Sequence, residues 1–276
     1  MNFFRRVLDA KFLSMAPHNA FILGFFYAII GSVTAYMVFP SNAGMMAVIF
    51  TATLAWPLLF KAINFENVEI DRNRLGFIRM FKDHKMIFQL YFFLFMGVLV
   101  AFGILSVLLP ELTVTKLFNP QLAIAGLGGA ATASGLDFGY IVTNNLKVLV
   151  AFVIFSVVYG AGTVVFLLWN ASVWGTIFGF VARLSAAAAT RLPIVEFGFL
   201  MLRVLPHTAL EVFSYFFAIV AGAIFAKTVI RPVLTDEQRT QLYKDAFMFL
   251  GISIALVFVG AYFEVYVFPV LGFIGG

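Results

Sequence analysis

Residues Met86 to Leu109 run without one charged side chain and stop at Pro110-Glu111. That exceeds the roughly 20 apolar residues needed to cross a bilayer. In hydrocarbon every backbone polar group must be satisfied inside its own segment, so such a run crosses as a helix. The rest of the chain agrees: 63% of its 276 residues are hydrophobic and 11% charged, against about 25% charged in soluble domains. The expected fold class is therefore all-α, a polytopic transmembrane helix bundle. So much apolar surface excludes disorder. The absence of cysteine removes disulfides, thiolate metal sites and thiol nucleophiles.

About seven spans are legible. Ala20 to Phe39 follows a basic segment, Met1 to Lys11, and exceeds the 7–15 residues of a signal-peptide core, so it reads as an uncleaved first helix. Pro40 to Gly44 turns the chain into a second span, Met45 to Phe60. A strongly basic loop, Lys61 to Lys85, precedes the third span, Met86 to Leu109. The segment Glu111 to Asn145 then reads as an outer loop or a half-inserted one. Its Gly- and Ala-rich tract, Ala123 to Gly135, has no Lys after the glycines and is not a phosphate loop. A fourth span is expected over Leu146 to Trp169, a tight turn at Asn170-Ala171, and a fifth span over Ser172 to Ala189 interrupted by Arg183. Leu192 to Val204 reads as an interfacial or partly inserted helix leading into the sixth span, Pro206 as the first residue of that span, which ends near Lys227 and Arg231, and Pro232 to Asp245 as a polar link. The seventh span is Ala246 to Pro269.

Basic residues set the direction, because they stay on the cytoplasmic side. With the N-terminus inside and the C-terminus outside, five fall outside (Lys116, Lys147, Arg183, Arg191, Arg203) and the other thirteen of the 18 inside. The net charge of +5 thus reflects orientation rather than nucleic-acid binding. The chain divides into residues 1–85, a basic segment with a hairpin and a basic loop, and residues 86–276, the transmembrane core.

The chemically informative residues are those that an apolar helix avoids, since an ionisable group at mid-bilayer costs at least ~2.5–3.5 kcal/mol. Glu211 and Glu264 qualify. Glu211 lies four residues after His207, on the same helix face. With opposite directions, the sixth and seventh spans bring His207, Glu211 and Glu264 to similar depth in the outer half, with Arg203 and Asn145 as candidate partners. Such a cluster either ties helices together by hydrogen bonds or handles protons or a ligand. His207-x-x-x-Glu211 is not H-E-x-x-H, and no hydrolase constellation or dinucleotide fingerprint is present, so neither an enzyme, a metal nor a cofactor is expected. Gly175 and Gly179 form a G-x-x-x-G that chance can supply among 22 glycines.

Several of these residues fall in a familiar order. Asn144-Asn145, a span ending in Trp169-Asn170, then Leu205-Pro206-His207-Thr-Ala-Leu-Glu211, and finally Ala261-Tyr-Phe-Glu264-Val-Tyr-Val-Phe-Pro269, resemble the stage II sporulation protein M family over roughly residues 144–269. The resemblance implies that Asn145, Asn170, His207, Glu211 and Glu264 are the family's polar positions; Thr208 replaces the glycine more usual after the histidine. It further implies a membrane component without established chemistry of its own. The expected function is a non-catalytic subunit or scaffold of a cell-envelope assembly in the cell membrane. The alternative is a permease or lipid-handling transporter using the His/Glu cluster. The partners expected are membrane lipids and other membrane proteins or further copies of the chain, not nucleic acid.

Overall fold

The computed structural model describes residues 16–64, 85–124, 137–159, 163–230 and 235–267. Every regular element among them is helical. In chain order these are α1 (Asn19–Val38), α2 (Ala43–Asn64), α3 (Lys85–Leu108), α4 (Glu111–Leu117), α5 (Asn119–Ile124), α6 (Phe138–Tyr159), α7 (Val164–Ala189), α8 (Pro193–Ile230) and α9 (Asp236–Tyr262), with a π-helical turn, Phe263–Val267, closing α9. Six of them hold segments long and apolar enough to cross a membrane: α1, α3, α6, α7, α8 over Thr208–Ala226, and α9 with its π turn. The shorter apolar stretch Ala43–Pro57 in α2 makes the seventh expected apolar helix.

The chain forms two compact units, Met1–Ala62 with Leu90–Ser134 and Val164–Arg203, and Ile63–Gln89 with Gly135–Thr163 and Val204–Gly276. In the first unit, helices approach through glycine. A Cβ on Gly24 of α1 would stand 2.7 Å from the Leu94 carbonyl oxygen of α3. On Gly175 and Gly179 of α7 it would collide with the Leu99 and Gly103 carbonyls. The G-x-x-x-G dismissed as chance is therefore the α3–α7 seam; small residues let backbones touch where lipid supplies no hydrophobic drive. Arg183, the charge that interrupts the fifth expected span, is partly buried in α7. Its guanidinium donates to the carbonyls of Val107, at 2.7 Å, and Leu109, at the end of α3. Those acceptors have no partner inside their own helix, and the cation also sits favourably at the negative end of the dipole. Gln121 of α5 is fully buried and donates to the Gly44 carbonyl at 2.9 Å.

The second unit packs α6, α8 and α9. Val142, Asn145, Leu149, Phe152 and Ser156 are buried along one face of α6, the spacing that gives a single stripe on a helix. Ser156 donates to the Ile219 carbonyl at 2.8 Å, beside Gly222, whose missing Cβ makes room for it. The Phe88, Phe217 and Phe249 rings pack together, with centroids 5.1–5.8 Å apart.

Segmentation departs from the sequence reading at four places. Asn170-Ala171 is not a turn: α6 ends at Tyr159 and α7 runs unbroken from Val164 through Asn170 to Ala189. Asn170 donates to the Phe166 carbonyl at 2.9 Å and Ser172 to that of Trp169 at 2.7 Å, so both polar groups are satisfied within the helix rather than ending it. Leu192 to Val204 is not a separate interfacial helix, nor is Pro206 a first residue; both belong to the 38-residue α8. Pro206 has no N–H to give to the Leu202 carbonyl, a loss that membrane helices tolerate; two residues on, Thr208 donates to the Val204 carbonyl at 2.8 Å. The polar link is already helical from Asp236, where the Thr235 hydroxyl and Gln238 amide form a reciprocal capping box. Finally, Glu111 to Asn145 is not one loop, since α4, α5 and the start of α6 occupy much of it. Residues 125–135 of the small-residue tract, the basic segment 1–11 and most of the basic loop 61–85 lie outside the described residues.

Candidate functional site

The polar groups of the second unit meet where α6, α8 and α9 pack. Tyr215 lies one turn after Glu211 on α8 and is 1% exposed. Its hydroxyl donates to Glu211 Oε1 at 2.6 Å and lies 3.4 Å from Asn145 Oδ1 of α6. A hydroxyl has one proton, so the short contact takes it and Asn145 flanks the pair. The Tyr215 ring packs at a tilt against Phe152, centroids 5.0 Å apart, which fixes where the hydroxyl points. Ser214 donates to the Glu211 carbonyl at 2.7 Å, and Ser253 of α9 donates to the Ser214 carbonyl at 2.7 Å, tying α9 to the same turn of α8. Glu264, half-buried on the π turn, lies within electrostatic reach of both Glu211 and Tyr215. π-helical turns recur at functional sites because the extra residue displaces one side chain from the regular register; here that residue class includes an intramembrane carboxyl.

Of the expected cluster, the structure brings together Glu211, Asn145 and Glu264. Asn145 is not at the outer end of its span, as the sequence reading had it, but two turns into α6. His207 lies on α8 one turn before Glu211, and its side chain is outside the described residues. Arg203, two turns before Glu211, is exposed. Asn170 belongs to the first unit and bonds within α7. Tyr215, Ser214 and Ser253 were missed. The signal for Tyr215 was present, because positions 207, 211 and 215 recur every four residues on one face. Among the described residues no group of three His, Asp or Glu side chains could hold a metal ion.

Apolar helices of spanning length, crossed by a hydrogen-bonded polar cluster, define a multi-pass integral membrane protein. The sequence profile of the stage II sporulation protein M family matches residues 90–269, about two thirds of the chain, and the chain belongs to that family. The match begins well before residue 144 and so takes in α3, α4 and α5 as well. Neither a search of curated proteins nor one of solved structures finds a match.

Proposed function

We propose that this protein is a non-catalytic subunit or scaffold of a membrane assembly at the cell envelope. The observation that carries the reading is how its intramembrane polar groups are used. Tyr215 serves Glu211, Ser253 serves α8, Ser156 serves the Ile219 carbonyl, and Arg183 closes the end of α3. Each links one element to another or holds a neighbour in place, which is what helix association in lipid demands. The test is purification of the tagged full-length chain from native membranes in mild polymer discs, with mass analysis of all stoichiometric components. A defined protein partner is expected, lost together with heat stability on Glu264→Ala. Recovery of this chain alone would overturn the reading.

One observation favours a second reading. Two carboxyls within electrostatic reach of each other inside a bilayer are a costly arrangement, and intramembrane ionisable groups commonly mark proton or ligand paths. A permease of this kind would lose flux on Glu211→Gln and Glu264→Gln while keeping its fold. Unchanged flux in both would remove that alternative.

A further inference from the structure

The stripe of α6 opposite Asn145 carries polar groups that none of the described residues covers. Tyr140, Thr143, Asn144, Lys147, Val150 and Ile154 are all exposed and recur at helical spacing. Of the six candidate spans α6 is the least covered by the rest of the chain, at 28% buried. The span is Phe138–Val158, 21 residues, or about 31 Å at the helical rise, which matches the ~30 Å hydrocarbon core. Lys147 follows Phe138 by nine positions, placing its Cα roughly 13 Å from one end and 16 Å from the other. The span cannot slide outward to free the lysine: residues 148–159 alone would cover only about 18 Å. Snorkelling along its four-carbon stem carries the ammonium about one helical turn, ~5 Å, which is not enough to reach the headgroups. A lysine facing lipid at that depth is disfavoured, and such residues normally face protein or water.

We propose that this face of α6 seats a transmembrane helix of a partner protein that carries an aspartate or glutamate at mid-bilayer, with Lys147 as its counter-charge and Thr143 and Asn144 as flanking hydrogen-bond groups. Charge complementarity selects the occupant. A second copy docked symmetrically would set Lys147 against Lys147, and like charges facing one another are strongly disfavoured. The chain's own intramembrane carboxyls are engaged elsewhere: Glu211 accepts from Tyr215, and Glu264, on the π turn, lies within electrostatic reach of that pair. The inference rests on the subunit reading above, and it specifies the surface and the chemistry of the partner.

The experiment places a photo-reactive side chain at Val150, one turn from Lys147 on the same stripe, in the full-length chain in native membranes, and sequences what it captures. The expected product is a membrane-spanning segment of another protein with Asp or Glu at mid-depth. Lys147→Met is expected to lower co-purified partner on the order of thirtyfold, with the fold and insertion intact because a mid-bilayer charge has been removed. Lys147→Glu combined with conversion of the captured carboxylate to lysine is expected to restore assembly. That rescue also decides the matter if Lys147→Met proves unstable. Capture of lipid alone would point to a headgroup phosphate and overturn the proposal, as would capture of a second copy of this chain. Wild type purified without a partner overturns the subunit reading and this inference together. A partner retained undiminished by Lys147→Met overturns this inference only.

Discussion

Two buried tyrosines give opposite answers to the same substitution. Tyr215 and Tyr91 are 1% and 0% exposed, and Tyr→Phe removes one oxygen from each while leaving the ring and its packing. At Tyr215 the lost hydroxyl is the donor to Glu211 at 2.6 Å. A hydrogen bond to a charged group contributes about 1.5–3 kcal/mol in soluble proteins, whereas measured side-chain bonds between membrane helices average about 0.6 and reach about 1.7 kcal/mol. A short, buried bond belongs at the upper end of the membrane range, so Tyr215→Phe should destabilise by about 1–2 kcal/mol. The Tyr91 hydroxyl is fully buried and has no hydrogen-bond partner among the described residues. An unsatisfied buried group costs about 1–3 kcal/mol, so Tyr91→Phe should be neutral or stabilising by up to about 1 kcal/mol. The two variants should therefore differ by roughly 1–3 kcal/mol, the sum of the two effects. Equilibrium unfolding in bicelles, followed for both variants beside wild type, measures that gap. Equal shifts in the same direction would refute the assignment of the hydroxyl partners, since ring packing is common to both.

Other expectations follow from backbone geometry and topology. Gly175→Ala puts a methyl group onto the Leu99 carbonyl and should cost about 1–3 kcal/mol by forcing α3 and α7 apart. Gly251→Ala, whose Cβ would meet open space, should stabilise by about 0.5–1 kcal/mol in the same unfolding assay. Thr190 closes α7 at φ 52°, with the Arg191 N–H bonded to the Ala186 carbonyl at 3.1 Å, a helix end that favours glycine. Thr190→Gly should raise stability by about 0.5–1 kcal/mol, and a fall in melting temperature would contradict the strain argument. Because the chain has no cysteine, single-cysteine variants report orientation cleanly. In intact cells Thr115→Cys should react with a membrane-impermeant thiol reagent and Arg79→Cys should not, and the reverse pattern would invert the proposed topology.

The intramembrane carboxyls were legible because they are chemically out of place: a carboxylate in an apolar helix is visible in any single sequence. Their partners were not. Glu211 could be paired on paper with His207 or Arg203, both near it along α8; among the described residues its hydrogen bond goes to Tyr215, with Asn145 of α6 alongside. Such choices depend on the rotation of each helix about its axis, and helices as uniformly apolar as these carry little amphipathic signal to report it. Lys147 shows the same limit. Read as the outer end of a span beginning at Leu146, it was an ordinary flanking charge; α6 begins at Phe138, and the lysine moves to mid-span.

What the sequence determined by itself is where this chain resides and roughly how many times it crosses, because partition into hydrocarbon is a local sum over some twenty residues. Tertiary structure decided where the helices break and which faces meet. Asn170 continues a helix, its amide donating to the Phe166 carbonyl, and Pro206 lies within the continuous α8. Gly175 and Gly179 became a seam only when the Leu99 and Gly103 carbonyls of α3 arrived against them. A glycine specifies close approach only when there is a backbone to approach, and that is settled by packing.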